Sequence, residues 1–354
     1  MAKKKLDIDF KALEKLHSHE VDKYGAQIKT SFSAAIVKIA KTSSRATLRG
    51  DKPFAFSDFP KIEIEVDAVI NGLVTEIEGI TNEGTYKQWL ASSLKNDQIA
   101  DYFLNNANLS KVKLGKYYER NLDAYNAFQS RKSGGLGLSD RIWNYAGQFK
   151  EELEMAIDIG LLDGRSAAEL SRDIRGYLSD KNQNRLFRRV RDARGQLQLS
   201  KHAKAYNPGQ GVYRSSFKNA FRMTRNEVNM AYRSSDFERW NQLDFVIGIR
   251  VSLSGSHPVV DICDTLAGTY PKDFKFLLWH VQCLCFATPI LMPEGDFIRS
   301  LSGKDVGIHY IKDMPNDFTN WVSDNTELVQ GWKSVPYFIR DNFKDGNITK
   351  GLKF

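Results

Sequence analysis

All three cysteines of this 354-residue chain, Cys263, Cys283 and Cys285, fall within twenty-three residues; of its six histidines, His280 falls inside that stretch and His257 just before it. The pattern reads His257-x3-Asp261-x-Cys263-x16-His280-x2-Cys283-x-Cys285. Thiolates and imidazoles are the usual ligands of tetrahedral Zn²⁺, and a looped segment brings four of them to one ion. The segment is therefore expected to fold back on itself around a metal, with ligands drawn from His257, Cys263, His280, Cys283 and Cys285. One condition attaches. Alternate residues of a strand point to opposite faces, so Cys283 and Cys285 share an ion only where the backbone curls. The competing reading is a set of buried apolar cysteines with histidines at turns.

A catalytic ion keeps a position open for water and has a base beside it. Asp261 and His257 are the groups available for that work, and they define an alternative reading: a metal-dependent nuclease or hydrolase centred on His257 and Asp261. Enough thiols are present to close the coordination sphere, and neither a His-Glu-x-x-His motif nor a deaminase pattern occurs. The reading preferred is a structural Zn²⁺ with no catalytic residues.

At 42% hydrophobic and 27% charged residues, the chain can bury a large interior. No apolar run reaches the ~18 residues that a membrane span needs, and the start, MAKKKLDIDF, lacks the apolar stretch of a secretory signal. An odd cysteine count suits a reducing compartment, where clustered thiols hold metal more often than disulfides. The net charge of +8 is unevenly placed: Lys181 to Arg225 carries twelve Lys or Arg against Asp192 alone, leaving −3 for the rest. Local positive charge of that density fits a polyanion.

Apolar residues at three- and four-residue spacing predict helices over about Asp7–Ala40 and Ile62–Leu94, with Gly79 and Gly84 weakening the second. Further helices are expected over Gly115–Arg131, after a cap at Ser139 (stripe Ile142, Ala146, Phe149, Leu153, Ala156), and after the capping box Ser166–Glu169. The basic segment reads as partly helical up to Ala193. A long helix resumes near Tyr213, with Arg214, Lys218, Arg222 and Arg225 along one face. FVIGIRVS, Phe245–Ser252, is the clearest strand. Beyond Pro293, short aromatic-rich helices suggest a tail docked onto a surface.

The runs RMTRNEVNMAYRSSDFERW, FVIGIRVSLSGSHPVVDICDTLAGTYP and WHVQCLCFATPIL together resemble the Mu F-like head-morphogenesis family of tailed bacteriophages. Arg225 and Glu227 match that family's Arg-x-Glu helix, Asp261, Cys263, Leu266 and Gly268 its Asp/Cys turn, and His280, Cys283 and Cys285 its last element. The resemblance spans about Tyr117 to Leu291. It departs from the family at Val281, where a proline is usual, and at Leu284, where an arginine is usual. It implies a low-copy minor head protein of the virion, inside the head or at the portal. Its partners would be the portal or major capsid protein and double-stranded DNA, held non-specifically by phosphate, with no membrane.

The expected fold is α+β and predominantly α-helical: an elongated helical N-terminal part and a small β-containing, zinc-stabilised C-terminal module. The expected regions are 1–114 helical, 115–212 helical with the basic segment, 213–292 the Mu F-like module, and 293–354 the tail. The candidate phosphate contacts are Arg185, Arg188, Arg189, Arg191, Arg194, Lys201, Lys204, Arg214, Lys218, Arg222 and Arg225.

Overall fold

The computed structural model describes residues 8–47, 54–105, 114–162, 164–179, 188–191, 194–199, 215–255, 260–332 and 334–354. It is predominantly helical, with a small antiparallel sheet in the C-terminal part. None of the described helices is long and apolar enough to cross a membrane. Two compact units divide the chain, and neither is a single stretch. One takes the residues up to Val21 together with Glu83–Gly134 and Asn226–Phe354; the other takes Asp22–Asn82 and Gly135–Arg225.

Helix α1, Phe10–Ser43, starts where the Asp9 carboxylate accepts from Ala12 N at 3.0 Å. Helix α2, Pro60–Leu104, starts on a proline, whose missing N–H and fixed φ suit a first helical position. It runs through Gly79 and Gly84 without a break and ends ten residues beyond the expected Leu94. A helical glycine costs about 1 kcal/mol, and the packed side chains at Leu73, Val74 and Ile77 outweigh that here.

In the second unit, α1, α2 and helix α4, Leu138–Leu162, close around Phe32, which meets Phe149 at 4.8 Å and Phe217 at 5.5 Å between ring centres. The expected stripe Ile142, Ala146, Phe149, Leu153 and Ala156 is buried as a set. Ser139 is not the cap: its hydroxyl donates to Glu78, while Asp140 accepts from Gly137 N at 2.9 Å. Helix α5, Ala167–Ser179, opens on the expected capping box, with Ser166 N donating to Glu169 at 2.8 Å and Glu169 N to Ser166 Oγ at 3.3 Å. The basic segment differs from expectation. Arg188–Arg191, strand β1, pairs antiparallel with Leu197–Leu199, strand β2, about a turn in which Gly195 has φ +74°. The left-handed glycine closes a hairpin where a helix was expected to continue to Ala193.

Helix α3, Leu122–Ser130, is shorter than the expected Gly115–Arg131 because Asn121 adopts φ 53° and separates it from the 3₁₀ turn Lys116–Tyr118. Helix α6 spans Ser216–Gln242. After it comes strand β3, Val246–Ser252, central in a three-stranded antiparallel sheet between β4, Gly268–Tyr270, and β5, Phe286–Leu291. Gly248 occupies a place with no room for a side chain: a Cβ would lie 2.5 Å from Ile311 Cδ1 and 3.0 Å from Tyr270 O. Short helices α7 (Ile262–Leu266), α8 (Glu294–Leu301), α9 (Asn316–Gln330) and α10 (Tyr337–Asn342) complete the first unit. The tail, expected to lie on a surface, contributes side chains to the core of this unit. Phe318, Phe338 and Phe343 are buried, and Phe338 packs edge-on against Trp279 at 5.2 Å.

Candidate metal centre

Cys263, Cys283 and Cys285 meet in the interior of the first unit, and their sulfurs all lie within 4.8 Å of one another. Cys263 arrives on α7. Asp261 caps that helix, its Oδ1 accepting from Cys263 N at 2.7 Å, while Asp264 Oδ2 accepts from Asp261 N at 2.8 Å. Cys283 and Cys285 arrive on the turn before β5. Gln282 there adopts φ 64°, and Cys283 N donates to His280 O at 3.1 Å. That left-handed residue ends the turn that delivers Cys283, and Cys283 and Cys285 follow in irregular backbone before the strand begins.

The sulfurs of Cys263 and Cys283 are 3.6 Å apart. Four Zn–S bonds of about 2.3 Å in a tetrahedron would set sulfurs roughly 3.8 Å apart, so the spacing already suits such an ion. Without one, three buried thiols cannot all ionise. Cys283 accepts S–H from Cys263 and Cys285, which pulls it far below the ordinary thiol value to about 2, against burial. Donating to Cys283 pushes Cys263 up. Cys285 is lowered by Cys263 but raised further by Cys283 and burial, to about 12. The three thiols are thus electrostatically coupled, and a bound cation would favour their deprotonated forms.

His280, Cys263 and Asp261 form a second triad sharing Cys263. His280 Nε2 stands 3.1 Å from Cys263 Sγ and 3.2 Å from Asp261 Oδ2. Its Nδ1 lies 2.9 Å from Val281 O. A carbonyl can only accept, so Nδ1 donates to it and Nε2 is the ring atom that faces sulfur and carboxylate.

Sequence reasoning missed what holds the turn. Asn226 and Asn229, one face of α6, grip it: Asn226 Oδ1 accepts from Gln282 N at 3.0 Å, and Asn229 Nδ2 donates to Cys283 O at 3.3 Å. Behind them, Asn229 Oδ1 lies 2.9 Å from His17 Nε2, whose Nδ1 lies 2.6 Å from Gln88 Oε1. The only available signal was the i, i+3 spacing of two asparagines.

The expected site residues thus fall into groups. Cys263, Cys283, Cys285 and His280 are gathered, whereas His257 lies outside the described residues. Of the phosphate candidates, Arg185, Lys201, Lys204 and Arg214 also lie outside them. Arg188, Arg189 and Arg191 sit on β1, and Arg194 is exposed in the hairpin turn. Lys218, Arg222 and Arg225 are half-buried rather than a free face, and Arg225 is paired with Asp22 at 2.5 Å. No protein-family model matches the chain, and neither does any curated protein or solved structure.

Proposed function

We propose that this chain is a structural virion component of the Mu F-like head-morphogenesis type, whose C-terminal module is locked by Zn²⁺. It would link portal or capsid to packaged DNA. The observation that carries the reading is spatial: the Asp261 cap and Cys263 on α7, and His280, Cys283 and Cys285 on the turn before β5, two elements separate in sequence, converge. Asn226, between Arg225 and Glu227 of the matched helix, fastens the same turn. Convergence of the residues that carry the resemblance at one point supports this reading.

Cys263, Cys283 and Cys285 would supply three thiolates. His280, turning on its Val281 bond, would bring Nε2 from the second triad to the fourth position. The ion would bind the loop after β3 to the turn before β5 and carry no reaction. Asp261 supports this closed form, since one carboxylate oxygen already caps α7.

The β1–β2 hairpin, with Arg188, Arg189, Arg191 and Arg194, is the proposed phosphate contact. Reversing those four charges to glutamate should lower the affinity for duplex DNA and flatten the log–log salt dependence by up to about 0.9 per lost contact. An unchanged slope removes the DNA contact from the account. Chelator-sensitive plasmid cleavage that disappears in Asp261→Ala would replace the architectural reading with the hydrolytic one. The particle-level test is direct: a reconstruction of the parent virion should place this chain at the portal or inside the shell.

A further inference from the structure

The thiol cluster is shut off from water. Cys263, Cys283 and Cys285 are 0%, 1% and 1% exposed, and a hydrated dication cannot enter such an interior unless other ligands replace its water on the way. The second triad joins the two environments. Its Asp261 and His280 side chains are 38% and 39% exposed, and its third member is the buried Cys263 that belongs to the cluster as well.

The donor atoms follow one another at short steps and change character inwards. His280 Nε2 is 3.2 Å from Asp261 Oδ2 and 3.1 Å from Cys263 Sγ, which is 3.6 Å from Cys283 Sγ. The series runs from carboxylate oxygen through imidazole to thiol, from the donor that suits a hydrated ion to the donor that suits a soft, dry site. The two oxygens of Asp261 have different tasks. Oδ1 accepts from Cys263 N at 2.7 Å and so fixes the carboxylate on α7, while Oδ2 is the oxygen beside His280. Asp264, accepting from Asp261 N at 2.8 Å, adds a second acid next to it. Paired acids raise the local concentration of cations.

We propose that Asp261, His280 and Cys263 form the loading port of the metal centre. A divalent transition-metal ion arrives on Asp261 and His280, takes Cys263 as its first sulfur, and passes on to Cys283 and Cys285. His280 follows the ion to its fourth position, the capping carboxylate stays behind on α7, and the thiol protons leave to water as the bonds to sulfur form. The inference rests on the metal reading above and adds to it a route and a kinetic role for Asp261. A group that touches the ion only in passing lowers the barrier in both directions and leaves the bound state as stable as before.

The test uses the full chain carrying zinc. Transfer to a colorimetric chelator, at concentrations where the rate no longer depends on the chelator, gives the release rate, and competition at equilibrium gives the affinity. Asp261→Asn and Asp261→Ser both keep an oxygen to cap α7 and remove the carboxylate. Each is expected to hold one equivalent of zinc with an affinity within about threefold of the original, and to release it at least about tenfold more slowly. The thermal midpoint should not move. The port is overturned if both variants release zinc at the original rate. It is equally overturned if they release it faster with a matching loss of affinity, which would make Asp261 an ordinary stabiliser of the bound ion. A chain that carries no zinc and takes up none overturns the metal reading itself, and the port with it, so the two failures are told apart by the zinc content.

Discussion

His17 sits wholly inside the first unit, stacked on Tyr232 with ring centres 3.9 Å apart and both nitrogens engaged by Asn229 and Gln88. Burial, then the neighbouring Arg233, holds it neutral and pulls its pKa down to about 4. Around it Glu14, Lys95, Arg233 and Asp236 form a buried network, with Lys95 2.7 Å from Asp236 and Arg233 2.5 Å from Glu14. A depressed histidine pKa means that the unfolded chain takes up the proton first. Stability should then be full above pH 6.5 and fall as pH drops from 6.5 to 4, by about 3 kcal/mol. Urea denaturation across that window measures the slope, and His17→Gln should flatten it. Glu14 works in a lower window. Despite burial, Arg233 and Lys95 bring its carboxyl down to about 2, so its contribution holds above pH 4.5 and is lost between 4.5 and 2. None of this was legible beforehand, because a histidine or glutamate in a polar helix looks like a solvated one until its neighbours are known. The cysteine cluster was legible for the opposite reason: scarce thiols set so close together in sequence stand out, and the fold brings all three to one point.

At the scale of elements, α6 and the turn it grips are the informative pair. Asn226→Ala removes the acceptor for Gln282 N without touching a sulfur. The fold should survive, and metal affinity should fall by about 10–100-fold, as losses behind the ligands do. Competition with a colorimetric chelator measures it. In β3, Gly248→Val would drive a side chain into Ile311 and the Tyr270 carbonyl, and should cost about 1–3 kcal/mol in denaturant unfolding. Strand β3, the buried stripe of α4 and the Ser166 capping box were readable because alternation, 3.6-residue spacing and reciprocal caps are local signals. The full reach of α2 was not, since packing overrides its glycines. Nor was the burial of Arg233, Asp236 and Arg239, because a charged helix sequence reads as exposed unless its ion partners, far away along the chain at Glu14, Lys95 and Asp97, are known. The β1–β2 hairpin escaped for a different reason: propensity favoured helix, and a single left-handed glycine decided otherwise.

Across the whole molecule, each unit has its own apolar core. Only the first contains the thiol cluster, where Cys263, Cys283 and Cys285 sit among Tyr270, Trp279 and the tail aromatics Phe318 and Phe338. Metal binding is therefore predicted to stabilise the docked tail together with the sheet. A chelator should lower the melting temperature of this unit while leaving the second unit's transition in place, two transitions being the calorimetric signature of separate cores. The central claim is that sulfur and imidazole around one ion lock this unit. Elemental analysis of chain purified without added metal tests it most directly: one equivalent of zinc per chain is predicted, lost in Cys283→Ser and Cys263→Ser. Zinc-free, fully folded protein with three titratable thiols and no response to added Zn²⁺ would contradict it.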